Sequence, residues 1–226
     1  MLSPSEILKS YWNHDRFRPM QEEIINSVLK GHDTLALLPT GGGKSVCFQV
    51  PALAMEGMCI VISPLIALMQ DQVKNLNDKN INATAITSAL TAKELNIAFD
   101  NAIYGQHKFL YVSPERINTE LFQKKIKSQN VSLIAVDEAH CISQWGYDFR
   151  PSYLKISELR EYFPSVNIIA VTASATKEVV EDIQLKLNFK SPNVFRQSFE
   201  RKNIRYVVQL EENKYERLLK VIHNIG

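Results

Sequence analysis

Residues 34–45 read TLALLPTGGGKS, and this stretch decides the fold. Thr34 to Leu38 form a short apolar run that reads as a buried strand. Pro39-Thr40-Gly41-Gly42-Gly43 ends it, and after Lys44-Ser45 the pattern predicts a helix to about Met55. Strand, glycine turn and helix in that order are the context a phosphate loop needs. Glycines let successive backbone N–H groups curl round a phosphate. Lys44 brings a charge to the outer phosphate oxygens, and Ser45 offers a hydroxyl to Mg²⁺. The helix adds the positive end of its dipole. The longer pattern GxxxxGK[ST] fails at its first position, Leu38, whereas the shorter TGxGK[ST] fits. ATP or a related triphosphate with Mg²⁺ is therefore the expected ligand of Thr40, Gly41, Gly42, Gly43, Lys44 and Ser45.

Outward from this stretch the chain keeps alternating. Cys59–Ile62, Ala83–Thr87, Phe109–Val112, Leu133–Val136, Ile168–Val171, Val194–Gln197 and Ile204–Gln209 read as strands. Between Leu65 and Lys79, Leu65, Leu68, Met69, Val73 and Leu76 mark one helical face, and Val179, Val180, Ile183 and Leu187 mark another over Lys177–Leu187. Ser3-Pro4-Ser5-Glu6 and Thr91-Ala92-Lys93-Glu94 are capping boxes that open helices to about Trp12 and Gly105. A second helix ends at Leu29 before Gly31. Two short helices fill Pro114–Ser128, one lies around Tyr153–Tyr162, and one spans Lys214–Asn224. This alternation predicts an α/β domain with a mainly parallel sheet flanked by helices on both faces.

A second stretch, DEAHCISQWGYDFR, runs from Asp137 to Arg150 directly after a strand. Ligands in open α/β sheets sit beyond the carboxyl ends of the strands. The strand ends before Gly41 and Asp137 are thus expected to be neighbours. Asp137 then holds Mg²⁺, while Glu138 orients and deprotonates an attacking water. His140 is expected to face the γ-phosphate side, an interior hydrogen-bonding role being the alternative. Without the upstream loop, two acids after a strand would read as ordinary solvated charges. Trp145 and Phe149 can stack on bases, at ~1–3 kcal/mol each, and Arg150 can pair with a phosphate or an acid. An aromatic loop folded onto the core is the plainer alternative.

The chain as a whole sets limits. Its 226 residues suffice for one sizeable domain. A net charge of +2 means that any nucleic-acid surface is a local patch. Lys124, Lys125 and Lys127 read as a solvated helix face. No run approaches the ~20 apolar residues of a membrane span, and the amino terminus lacks the apolar core of a secretory signal. Cys47, Cys59 and Cys141 form no CxxC pair. Neither disulfides nor a cysteine zinc site is expected, and a reducing cytoplasm is the natural compartment, at the nucleoid in a bacterium.

Taken in order, these motifs resemble the first RecA-like domain of a RecQ-type DNA helicase, within the second helicase superfamily. The resemblance covers about residues 3–210. FRPMQEEII (residues 17–25) is similar to the family's adenine-reading motif, which implies that Arg18 and Gln21 contact the base and that His14 stacks on it. LLPTGGGKS matches the family's first motif. VISPLIALMQDQV (residues 61–73), with Ser63 and Pro64, and LYVSPER (residues 110–116) resemble its strand-tracking motifs. DEAHCISQWGYDFRPSY matches its acid motif and aromatic-rich loop, and implies that Trp145, Tyr147, Phe149 and Arg150 report single-stranded DNA to the ATPase site. VTASAT (residues 171–176) is similar to the coupling motif and places Thr172 and Ser174 there. SFERKNIRY (residues 198–206) resembles the exit to a second domain. Departures from the family pattern are Met20 for Gly, His14 for Tyr, Tyr147 for His, Ser174 for Thr and Lys202 for Pro.

The resemblance implies ATP-driven 3′-to-5′ unwinding of single-stranded and partially duplex DNA in repair and recombination. It also implies a second RecA-like domain, and nothing after Tyr206 resembles that domain's motifs. Residues 1–30 are expected to form a helical segment carrying the adenine motif, 31–208 the RecA-like ATP-binding domain, and 209–226 a linker or the start of the second domain. Alone, the chain is expected to hydrolyse ATP poorly. An RNA helicase or duplex-translocase half, or a non-catalytic nucleotide-binding module, are the alternatives.

Overall fold

The computed structural model describes residues 2–146, 148–198, 204, 207, 208 and 210–225. Seven strands form one sheet: β1 (Thr34–Leu37), β2 (Met58–Ile62), β3 (Ala83–Ile86), β4 (Phe109–Val112), β5 (Val131–Val136), β6 (Ile168–Thr172) and β7 (Asn193–Arg196). Their order is β3-β4-β2-β5-β6-β1-β7, and every pairing is parallel. β1, β2, β4 and β6 are buried at every position, as a sheet covered on both faces demands.

The period of two along each strand divides the core between two layers. Leu35, Leu37, Ile60, Ile62, Ile134 and Val136 face one layer. It is completed by α5 (Ala92–Tyr104), α6 (Pro114–Ile117), α7 (Glu120–Ile126) and α9 (Lys177–Lys186) through Leu95, Phe99, Ile117, Phe122, Val179 and Ile183. Ala36, Leu38, Cys59, Val61, Leu133 and Ala135 face the other. There α2 (Gln21–Leu29), α3 (Val46–Ala54) and α4 (Ile66–Asn77) contribute Ile24, Val28, Phe48, Met69 and Leu76. The first helix, α1 (Pro4–Trp12), packs Ile7 beside Ile25 and Val50. Both capping boxes form as the sequence suggests, Ser3 with Glu6 and Thr91 with Glu94.

Two expectations change. The strands before Gly41 and Asp137 are not adjacent, because β6 lies between β1 and β5. Sheet order is set by long-range crossovers, which no local pattern reports. The segment Tyr153–Tyr162 is a 3₁₀ helix over Pro151–Glu158 followed by the single turn α8 (Leu159–Tyr162). Its buried residues Tyr153, Ile156 and Leu159 recur every three positions, the period of a 3₁₀ helix.

At the amino ends of β1 and β6 a buried polar clamp holds the sheet. Asp33 accepts from the Arg160 guanidinium at 2.6 Å, the Ile168 N–H at 2.8 Å and the Lys190 N–H at 2.6 Å. Of the expected strand Ile204–Gln209, the positions Arg205, Tyr206 and Gln209 lie outside the described residues, and Ile204, Val207 and Val208 belong to no strand. The last helix, α10 (Lys214–Ile225), exposes Tyr215, Leu218, Leu219 and Ile222 at helical spacing. Among the described residues no helix is long and apolar enough to cross a membrane.

Candidate active site

The glycine loop between β1 and α3 is built as the sequence requires. Gly41 and Gly43 both take φ +77°, a left-handed conformation that favours glycine. A Cβ at Gly42 would meet the Pro39 carbonyl oxygen at 2.8 Å, and one at Gly43 would run into the Gln21 amide. The loop root is held to β6 by the Leu38 N–H, which donates to the Thr172 carbonyl at 3.1 Å. Ser45 begins α3 without using its hydroxyl as a cap, so that oxygen is left for a ligand.

Behind the loop lies the segment that the resemblance assigns to adenine. The Arg18 N–H donates to Gln21 Oε1 at 2.9 Å, and Gln21 Nε2 donates to the Gly43 carbonyl at 3.0 Å. The Arg18 guanidinium donates to the Gly41 carbonyl. Both side chains therefore grip the phosphate loop itself. They line a cavity of about 380 Å³ together with Leu8, His14, Gly43 and Val46. Met20, where the family pattern has Gly, keeps the turn by taking φ +69°. That conformation costs a non-glycine residue about 1–2 kcal/mol, and Met20 recovers part of it by packing against the core layer of α2 and α3.

At the carboxyl end of β5, Asp137 is 4% exposed. Burial, with Glu138 adding repulsion, pushes its carboxyl up to about 6 against the opposing charge of Lys44. Glu138 moves the other way. The His140 ring beside it, helped by Lys44, holds its carboxyl below the usual range despite burial. Two adjacent acids thus have separated protonation behaviour, the pattern that divides tasks between carboxylates. His140 Nδ1 lies 3.3 Å from Glu138 Oε2 and 2.9 Å from Thr172 Oγ1. Because the carboxylate can only accept, Nδ1 carries the proton. Thr172 accepts it and donates onward to the Ser174 carbonyl at 3.4 Å. The intervening strand β6 is therefore a participant: its end links the glycine loop to the acids. Glu138 itself has φ +46°, a strained backbone for a non-glycine residue and one often found at functional sites.

The raised pKa has a stability consequence. Relative to an ordinary 3.8, a carboxyl at about 6 carries no penalty when protonated, below pH 3.8. Folding stability is lost as the pH rises through 6 and stays lost above it. Asp137→Asn is expected to stabilise the metal-free chain by up to ~3 kcal/mol at pH 7, with the gain vanishing towards pH 4. Urea unfolding at the two pH values checks this; a destabilised variant at pH 7 would contradict it.

Arg150 and Trp145 end the segment differently. Arg150 donates to Asp148 Oδ2 at 3.0 and 3.1 Å and to the Pro64 carbonyl at 2.9 Å. Of the two partners expected for it, the structure supplies the acid. Trp145 is 74% exposed and Phe149 half-buried, whereas Tyr147 lies outside the described residues. A cavity of about 710 Å³ opens between His140 and Trp145, walled also by Ala173, Ser174 and Val179. Ser63 is not brought to the surface: its hydroxyl is buried with no partner, and so is that of Ser113 at the end of the neighbouring strand. Lys125 pairs with Asp100 at 2.5 Å and Lys127 lies over the Tyr162 ring, so neither adds to the site.

Two contributors escaped the sequence reading. Asp148 is the partner of Arg150, and Tyr153 Oη donates to the Asp137 carbonyl at 2.9 Å while fully buried. Both lie inside DEAHCISQWGYDFRPSY, and that whole run was the available signal. Among the described residues no group of three or more His, Cys, Asp or Glu side chains could hold a metal. The oxygens of Ser45 and Asp137 suit Mg²⁺, which binds through one or two protein ligands plus phosphates and water.

This chain is 44% identical to the ATP-dependent DNA helicase RecQ of Haemophilus influenzae over 96% of its own length and 35% of the relative's. It is 43% identical to the protein of the same name from Bacillus subtilis, over 92% of its length and 36% of that relative's. The chain thus spans about a third of the length of these relatives. The DNA-bound helicase MrfA superposes on 87% of the chain with a TM-score of 0.68 at 18% identity, covering 30% of that structure, and supports the fold. Residues 18–183 match the DEAD/DEAH box helicase family, and with its glycine loop, acid pair and parallel sheet the chain belongs to that family.

Proposed function

We propose that this chain is the ATP-binding motor half of a RecQ-type 3′-to-5′ DNA helicase acting in repair and recombination. One observation carries the reading. A single segment runs from the acid pair at the end of β5 to the exposed Trp145, and Arg150 ties its far end to Pro64. In this reading ATP sits on the glycine loop with its base in the His14–Arg18–Gln21 cavity. Ser45 and Asp137 would hold Mg²⁺, which would supply charge neutralisation at the phosphates. Lys44 lies near both acids and reaches the outer phosphates. Glu138, held deprotonated beside His140, takes the proton of the attacking water. His140 and Thr172 pass the state of that site to the Ser174 turn.

Single-stranded DNA lies across Pro64, Trp145 and Phe149, with bases stacked on the aromatic rings. The apolar face of α10 supports placing residues 209–226 at the start of a second RecA-like domain, which closes over the nucleotide. In a chain carrying that domain, Trp145→Ala is expected to reduce DNA stimulation of ATPase more than basal turnover; stacking lost at ~1–3 kcal/mol corresponds to roughly 5- to 150-fold weaker strand response. Equal loss of both rates would make the loop structural. Stimulation by RNA equal to that by DNA would favour the RNA-helicase alternative.

A further inference from the structure

The aromatic loop is anchored from outside its own sequence by Asp182 and Lys186 of α9. Ser143 is fully buried, and its hydroxyl donates to Asp182 Oδ2 at 2.7 Å while accepting from the Trp145 N–H at 3.2 Å. Lys186, one turn further along α9, donates to the same Asp182 oxygen at 2.9 Å and to the Ile142 carbonyl at 3.3 Å. The bend itself is tight: the Gly146 N–H donates to the Ser143 carbonyl at 3.0 Å, and a Cβ at Gly146 would meet the His140 carbonyl oxygen at 2.6 Å. Asp182 thus holds the backbone of Trp145 through one hydroxyl, without touching the indole, which stays exposed.

The placement of α9 gives this contact its direction. The helix opens at Lys177, one residue after the Thr172–Thr176 turn whose first hydroxyl pairs with His140. Two routes therefore join the acid pair to the root of Trp145. One is covalent, through the 3₁₀ turn Ala139–Ile142. The other runs from His140 to Thr172, along α9 to Asp182, and back through Ser143. These contacts offer a path by which a shift of the β6 turn would reach Asp182 and the Trp145 backbone.

We infer that Asp182 and Ser143 are a positioning pair that sets the aromatic loop against the end of β6 and so carries the strand signal to the ATPase site. The inference rests on the reading of Trp145 as the strand sensor. Its test uses the full chain with the second helicase domain, in a Trp12→Phe background so that Trp145 is the only tryptophan of this segment. Basal ATPase, ATPase with single-stranded DNA and Trp145 fluorescence on DNA addition are measured for Asp182→Ala, Ser143→Ala, Asp182→Asn and the Asp182→Ala/Ser143→Ala double variant.

Losing a hydrogen bond to a charged group predicts a roughly tenfold drop in the ratio of stimulated to basal ATPase for either alanine variant. The DNA concentration for half-stimulation rises and the Trp145 response shrinks. The double variant lowers the ratio by less than the product of the two single drops, because both single changes break the same Ser143–Asp182 link. Asp182→Asn, whose amide oxygen still accepts from Ser143, restores most of the ratio. An unchanged ratio in the alanine variants, or an equal fall in basal and stimulated rates, overturns the pairing. Trp145→Ala run alongside separates the two readings: if it too leaves the ratio unchanged, the sensor reading itself has failed. Should Asp182→Ala not fold, Ser143→Ala removes a single oxygen atom and carries the same expectation and the same contradiction.

Discussion

Glu138→Gln is expected to lower ATP turnover by ~10²–10⁴-fold, the usual contribution of a positioned general base, while nucleotide affinity changes only a few-fold. Glutamine has the shape of glutamate, so the strained backbone at this position and the approach of His140 Nδ1 to the side-chain oxygen are both retained. What disappears is the carboxylate proposed to accept the water's proton. His140 and Lys44 hold the Glu138 carboxyl below the usual carboxylate range, so it is deprotonated throughout the physiological interval. Asp137 does not substitute in the proposed site, because its carboxylate is the one that would be taken up by Mg²⁺. Phosphate release and nucleotide binding, measured on the two-domain chain, check the prediction. A loss of less than about threefold would show that another group takes the proton.

Asp33→Ala is expected to cost the fold about 3–5 kcal/mol, because it strands a buried partner rather than removing a surface pair. Arg160 is 9% exposed, and it would keep its charge while losing the carboxylate 2.6 Å away. The Ile168 and Lys190 N–H groups would lose their acceptor at the same time. Against a typical total of ~5–15 kcal/mol this is a large fraction. Urea unfolding of this chain should show a lower midpoint with an unchanged slope. Replacing both partners, as Asp33→Leu with Arg160→Met, should cost less than Asp33→Ala alone. A single-variant loss below ~1 kcal/mol would contradict the clamp.

The parts of the site that could be read from sequence are those whose signals are local. The glycine loop declares itself because strand, turn, Lys44 and helix follow one another within a few residues. The capping boxes at Ser3 and Thr91 are equally local, and both form. The insertion of β6 between β1 and β5 was not legible, since strand order depends on crossovers of many residues. Asp33 and Arg160 are separated by 127 positions, so their pairing leaves no pattern in either neighbourhood. The same holds for Ser143 and Asp182, 39 positions apart. Ser63 enters only through the resemblance of residues 61–73 to a strand-tracking motif, and its burial at the end of β2 leaves no local mark in the sequence. Around Tyr153–Tyr162 the sequence reading has only a helix, although the three-residue spacing of Tyr153, Ile156 and Leu159 carries the 3₁₀ period.

The central claim is that the glycine loop and the aromatic loop serve one reaction. The most direct measurement is ATP turnover of the chain joined to its second helicase domain, with and without single-stranded DNA, for wild type and Lys44→Ala. Lys44 is the charge shared by the phosphate site and both acids. The account predicts that DNA raises wild-type turnover and that Lys44→Ala lowers the stimulated rate by ~10²-fold or more. Equal rates for the two proteins, or a wild-type rate indifferent to DNA, would contradict it.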